Sequence, residues 1–244
     1  QLKHVIMTKI LCIETSTEIC SVALTENGEV THLLEDTSGQ NHAKLVTAFT
    51  NQLMKQAGLQ FADLDAAAVS EGPGSYTGLR IGVSAAKGIC YGASLRLIAV
   101  NPLEALAVAA SKLLPPAQEP TLLCPLIDAR RMEVYTALFD AAGAPLTPTE
   151  AQIIDAESFA EQLAQGNVWF FGNGAAKCRP VLTSANAHFF DTEIRASAEH
   201  MAPVALRKFN QSKFEDVAYF EPFYLKDFMA TKAKNTVLEG LIKQ

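Results

Sequence analysis

Three β-patterned runs open the chain: KILCIETS from Lys9, CSVALTENGEV from Cys20, and THLLEDT from Thr31, with Asn27-Gly28 between the second and third. Asn-Gly between apolar runs signals a hairpin, because both residues tolerate the positive φ of a tight turn. The pattern predicts a three-stranded antiparallel meander. The period then changes over residues 41 to 56, where Leu45, Phe49, Leu53 and Met54 recur at helical spacing, with Ser38 or Asn41 as N-cap. A short apolar strand over 65–72, a helix from Gly78 to Gly92 and a strand from Leu95 to Val100 come next. A third helix runs from Pro102 to Leu114, with Asn101 as N-cap and Pro102 at its first position.

Pro115, Pro116 and Pro120 make 114–120 the most linker-like stretch, since proline continues neither element. The boundary is placed there, with 1–114 as a first lobe and 121–244 as a second, more divergent lobe ending in a C-terminal tail. Beyond it, TLLCPLID, RMEVYTALFD and PLTPTEAQIID pattern as strands, Ala156 to Gln165 as a helix, VWFFGNG as a strand and Ala175 to Thr183 as a helix. Both halves therefore read β-β-β-α-β-α. That order predicts an α/β fold of the duplicated ribonuclease-H-like kind, two-lobed as in the actin/sugar-kinase (ASKHA) superfamily, with the interdomain cleft as the default ligand site.

Composition narrows the function classes. Lys and Arg number 20 against 26 Asp and Glu, a net charge of −6, so attraction to phosphate backbones is weak. Hydrophobic residues are 49%, too many for a disordered chain. The apolar stretches fall short of the ~18 residues a membrane span needs. Five scattered cysteines form no C-x-x-C, which points to reduced thiols in a cytoplasmic protein. No secretory signal opens the chain, and Met7 is a candidate native start.

The most distinctive segment, Ser70-Glu71-Gly72-Pro73-Gly74-Ser75-Tyr76-Thr77-Gly78-Leu79-Arg80-Ile81-Gly82, leaves a strand and enters a helix. A glycine-rich turn at a helix start can hold an anion. Yet Leu79 breaks the Walker pattern, Thr77 breaks G-x-G-x-x-G, and Pro73 breaks the nucleophile elbow. A structural turn or a contact surface is the competing reading. Within the helix, Gly78, Gly82 and Ala86 recur every fourth residue, and Ala85, Gly88 and Gly92 add a second small stripe. Each interior glycine costs about 1 kcal/mol against alanine, so close approach of another helix or of the protein's own sheet must compensate. Glu14, ending the first strand, and Asp128, at the matching place in the second half, are candidate catalytic carboxylates; with Gly172 and Gly174 of FGNGA they outline a candidate nucleotide cleft. The histidines show no pair at i, i+3 or i+4, so no metal site is expected, and His42 reads as a polar contact at a helix start. Lys226, Lys232, Lys234 and Lys243 form a solvated tail or an auxiliary RNA or partner contact.

On ILCIETSTEICSVAL, the His42-centred helix start, AVSEGPGSYTGLRIGVSAAKG, IAVNPLEALA, LIDARRMEVY and PFYLKDF, the sequence resembles the TsaB (YeaZ) family, accessory subunits of the bacterial tRNA threonylcarbamoyladenosine machinery. Lys226 stands where the family often has arginine. The resemblance implies a non-catalytic, cofactor-free scaffold that binds the transferase TsaD through first-lobe helices. It implies a homodimer when alone, the ATPase TsaE as a further partner, tRNA contact through the complex, and threonylcarbamoyl-adenylate as a donor made elsewhere. The two-histidine metal motif of TsaD is absent, since only His42 stands in that helix. Partner contacts are expected at His42, Leu45, Gly74, Ser75, Thr77, Gly78, Arg80, Gly82 and Ala86, and Arg80 has a local ion pair as its alternative. A bulky residue at Gly82 is expected to abolish association and spare the fold. The rival from another class is a nucleotide-binding phosphotransferase or ATPase using Glu14, Asp128 and Gly172 to Gly174. A peptidase is suggested only by an old name for relatives of TsaD, and no nucleophile–base constellation supports it.

Overall fold

The computed structural model describes residues 7–39, 41–116 and 120–225. The tail lysines and the residues before Met7 lie outside them. Lys9–Glu14 (β1), Cys20–Glu26 (β2) and Glu29–Asp36 (β3) form the antiparallel meander, turning at Asn27 and Gly28 with φ of 51° and 83°. His42–Ala57 (α1), Ala66–Ser70 (β4), Tyr76–Ala93 (α2), Arg96–Val100 (β5) and Pro102–Ser111 (α3) follow. Strands β4 and β5 add in parallel on the other side of β1, giving the order β3-β2-β1-β4-β5.

The second half contains Thr121–Asp128 (β6), Glu133–Thr136 (β7), Phe139–Asp140 (β8), Glu150–Ile153 (β9), Ala160–Gln165 (α4), Asn167–Phe171 (β10), Ala175–Cys178 (α5), Ala187–Phe189 (β11) and Ala198–Asn210 (α6). Its sheet runs β11-β10-β6-β7-β9, with β8 paired to β6. Taking β6, β7, β9, β10 and β11 as first to fifth, the order 3-2-1-4-5 repeats that of the first sheet, so the fold is the duplicated ribonuclease-H-like α/β arrangement. The sequence pattern missed β11 and α6. β11 is three half-buried residues, and α6 carries Pro203 among mostly small core side chains, Ala198, Ala202, Val204 and Ala205.

The first sheet is covered on both faces. Leu11 and Ile13 cluster with Val46 and Leu53 of α1 and Val83 and Ala86 of α2, while Ile10 and Cys12 cluster with Met201, Val204 and Ala205 of α6. Burial on both faces is why KILCIE shows no alternation. Helix α3 reaches the other way, placing Leu103, Leu106, Ala107 and Ala110 against Leu123, Ile127 and Phe139. The unit drawn over 121–244 therefore is not one packed body, because residues 198–210 lie on the first sheet. Past α6 the chain stays there: Glu215 N donates to Leu97 O (2.9 Å), and Val217 and Phe220 pack on the cluster beneath α2.

Asn101 caps α3 as expected, its Oδ1 accepting from Leu103 N (2.9 Å). The cap expected for α1 does not form. Asn41 has a left-handed φ of 67° and makes no side-chain cap bond, while the Ser38 hydroxyl donates to Asp36 (2.5 Å). All five cysteines are unpaired and buried, and burial pushes the thiols of Cys12, Cys20 and Cys124 up to about 12, which makes them inert. Among the described residues no helix is long and apolar enough to cross a membrane.

Candidate partner-binding site

The β1–β2 turn is the hub from which α1 and α2 are positioned. The Ser16 carbonyl accepts from Ser75 N (2.7 Å), and His42 Nε2 donates to the Thr17 carbonyl (3.1 Å), so both helix starts are fixed to one turn. A Cβ at Gly74 would lie 2.2 Å from Ser16 O, at Gly78 2.1 Å from Thr15 O, and at Gly82 2.3 Å from Thr15 Oγ1. These glycines let α2 sit directly on the turn. The start of α2 is also satisfied internally, because Ser75 Oγ accepts from Gly78 N (3.2 Å). The glycine-rich segment is thus a packing turn, and its anion-holding reading loses its donors at Ser75 and Gly78 to the chain itself.

This corrects the expected contact surface. Gly78, Gly82 and Ala86 are buried, Ala86 at 0% exposure, so the stripe they form faces the protein's own sheet. Leu45 is partly buried on the first core cluster, and Gly74 lies against the turn. Ser75, Thr77 and Arg80 remain exposed at the α2 start. Arg80 forms no ion pair within the described residues; its guanidinium lies 4.3 Å over the Tyr76 ring, and its Nε donates to Tyr224 Oη (3.2 Å).

The second small stripe is the open one. A Cβ added at Gly88 or Gly92 meets nothing within 4 Å among the described residues. Both line a groove of about 480 Å³ between α1 and α2, walled by Val46, Thr50, Phe61, Ala85 and Ile89 and carrying no charged side chain. None of the residues expected to touch a partner lines it. Tyr91, 86% exposed, stands on α2 between the two glycines. The signal was in the sequence: Gly78, Gly82 and Ala86 are in phase with Leu79, Val83 and Cys90, whereas Gly88 and Gly92 are in phase with Arg80, Ser84 and Tyr91.

Thr50 adds a polar defect under the groove. It is 3% exposed, and its Oγ1 has no hydrogen-bond partner among the described residues. An unpaired buried hydroxyl costs about 1–3 kcal/mol, and a shape-matched apolar replacement removes that cost. Thr50→Val is therefore expected to stabilise the chain by about 1 kcal/mol, raising Tm by roughly 2–4 °C in thermal unfolding. A lower Tm would mean that the hydroxyl is satisfied in solution.

The candidate nucleotide residues are engaged otherwise. Glu14 is 1% exposed, burial holds its carboxyl above the ordinary 4.5, and its Oε1 accepts from Ser16 N (2.6 Å). Asp128 pairs with Lys177, whose Nζ also donates to the Glu133 carbonyl (2.6 Å). Gly172 and Gly174 sit against β6, where a Cβ would lie 2.6 and 2.9 Å from Leu126 O. Between them Asn173 joins the halves, its Oδ1 accepting from Asp128 N (2.9 Å) and its Nδ2 donating to Glu18 Oε2 (2.8 Å). The facing turns of the cleft are thus tied by side chains. The turn after β6 also carries Arg130 and Arg131 at φ of 74° and 50°, both exposed.

Comparison with known proteins adds a second line of evidence. The family model described as "TsaD: tRNA N6-adenosine threonylcarbamoyltransferase" matches residues 35–234. The tRNA threonylcarbamoyladenosine biosynthesis protein TsaB of Escherichia coli (strain K12) is 31% identical over 229 residues, 92% of this chain and 97% of that protein. The TsaB protein of Haemophilus influenzae is 39% identical over 126 residues, 52% of this chain and 51% of that one. A solved Pseudomonas aeruginosa structure, described as having similarity to peptidase YeaZ, superposes with a TM-score of 0.77 at 24% identity, covering 90% of this chain and 100% of that chain.

Proposed function

The chain belongs to the TsaD family and, within it, with the TsaB proteins, and on that premise we propose that it serves tRNA threonylcarbamoyladenosine biosynthesis as an accessory subunit that binds TsaD through α1 and α2. The observation that carries this reading is the uncharged α1–α2 groove, floored by glycines with open space above them. Small residues at a helix surface let a partner helix approach closely, and their absent side chains are a helix-propensity cost that the free chain does not recover. Tyr91 beside the groove has the amphipathic character of an interface anchor.

The subunit contributes surface, and TsaD contributes the chemistry. Glu14 and Asp128 are each bound by their own chain, and Asn173 with Glu18 ties together the turns where a nucleotide phosphate would approach. With a net charge of −6 the subunit gains little from tRNA phosphates on its own, so tRNA is met through the assembled complex, which TsaE also joins. The same groove accounts for self-association when TsaD is missing.

The test is threonylcarbamoyladenosine formation on unmodified tRNA with every other component supplied, with and without this chain. Product is expected to fall at least tenfold on omission, and this chain alone should yield none. Undiminished product without it would overturn the accessory role.

A further inference from the structure

We propose that residues 215–225 form a brace that sets Arg80 to receive a carboxylate of the partner subunit, with Tyr224 as its positioning residue; this rests on the reading that the outer face of α2 meets TsaD. The brace is anchored along its length. Glu215 N donates to Leu97 O (2.9 Å), Lys87 Nζ donates to the carbonyls of Ala218 (3.0 Å) and Phe220 (2.9 Å), and Phe223 N donates to Glu71 O (2.7 Å). It ends on the glycine-rich turn, where a Cβ at Gly72 would meet Phe223 O at 2.5 Å. There the Tyr224 ring lies 4.9 Å from that of Tyr76, and its hydroxyl takes the Arg80 Nε–H (3.2 Å).

Arg80 is thereby fixed on two sides, its plane over Tyr76 and its Nε on Tyr224. Arg80 is exposed, and the fork of its two Nη groups matches a carboxylate, with Glu221 of the brace already acting on its charge from within the chain. Arg80, Ser84 and Gly88 follow at intervals of four along α2, so the guanidinium extends the surface that the groove begins. Because the groove lining is uncharged, Arg80 supplies the electrostatic selection that the groove lacks. A side chain ordered before binding loses less rotamer freedom when the partner arrives, which is what the brace contributes.

Association with TsaD is measured by calorimetric titration for the unsubstituted chain, Arg80→Ala, Tyr224→Phe, the double variant and Gly88→Leu. Thermal unfolding monitors the fold of each. Arg80→Ala is expected to weaken binding about tenfold at low salt, with the loss shrinking at 0.5 M salt as a carboxylate pair is screened. Tyr224→Phe is expected to weaken it about threefold with Tm unchanged, and the double variant to bind no worse than Arg80→Ala alone. A Tyr224→Phe chain that binds like the unsubstituted one, or losses that simply add, would overturn the brace. A loss in Arg80→Ala that is indifferent to salt would overturn the carboxylate. Gly88→Leu separates the two readings: if it binds normally the groove reading fails, while the Arg80–Tyr224 cycle still decides the brace.

Discussion

Gly82→Leu is expected to melt well below the unsubstituted chain, losing about 3 kcal/mol of unfolding free energy and roughly 6–12 °C in Tm. Its Cβ would sit 2.3 Å from Thr15 Oγ1 and 3.4 Å from Val69, before any further side-chain atom is placed. Thr15 has nowhere to go: it is fully buried, its N donates to Ser70 Oγ (3.2 Å), and its carbonyl lies where a Cβ on Gly78 would be. Either α2 must lift from the sheet or the β1–β2 turn must move, and both helix starts hang on that turn. This reverses the expectation that the substitution would spare the fold and remove only association. Calorimetric unfolding decides it, and an unchanged Tm would return Gly82 to the contact surface.

Gly88→Leu is expected to give the opposite pair of results. No described atom lies within 4 Å of a Cβ placed there, and exchanging glycine for leucine inside a helix gains about 0.8 kcal/mol, so the monomer should melt a few degrees higher. The same leucine fills the groove between α1 and α2. Binding to TsaD should weaken at least about 100-fold, or roughly 2.7 kcal/mol. Sedimentation with TsaD reads the loss directly, and a stabilised variant that still binds at full strength would move the partner surface off this groove. Two glycines six residues apart on one helix are thus expected to respond with opposite signs.

Most of the architecture was legible because each element announces itself by period or punctuation. The Asn27-Gly28 hairpin, the helical spacing from Leu45 to Met54 and the Asn101-Pro102 helix start needed no tertiary information. The elements missed, β11 and α6, are those whose existence depends on contacts made elsewhere. Ala187–Phe189 becomes a strand by pairing with β10, and a helix containing Pro203 gives up one internal hydrogen bond that burial of Met201 and Val204 offsets. That α2 is closely approached was legible, and which of its faces meets the protein's own sheet was not. Four-residue spacing of small side chains says that something approaches α2 closely, and it says so for both stripes. Which approach is intramolecular depends on where the β1–β2 turn lies, and the phase of the flanking apolar residues carried that information in weaker form. The braced Arg80 was out of reach, because its partner Tyr224 lies 144 residues along the chain.

The exchange of α3 and α6 between the halves bears on how the protein is made. A chain emerging from the ribosome presents β1 to β5 long before residues 198–210 exist, so Ile10, Cys12, Ala68, Ile98 and Val100 lack the cover of Met201, Val204 and Ala205 until α6 follows. The first half is therefore an apolar half-sandwich during translation, a state prone to capture by other chains and suited to chaperone binding. Completion comes from the C-terminal side, when α6 closes the first sheet and the brace behind it reaches α2. The groove lined from Val46 to Ala93 is thus encoded early, whereas the hydrogen bond that holds Arg80 waits for Tyr224.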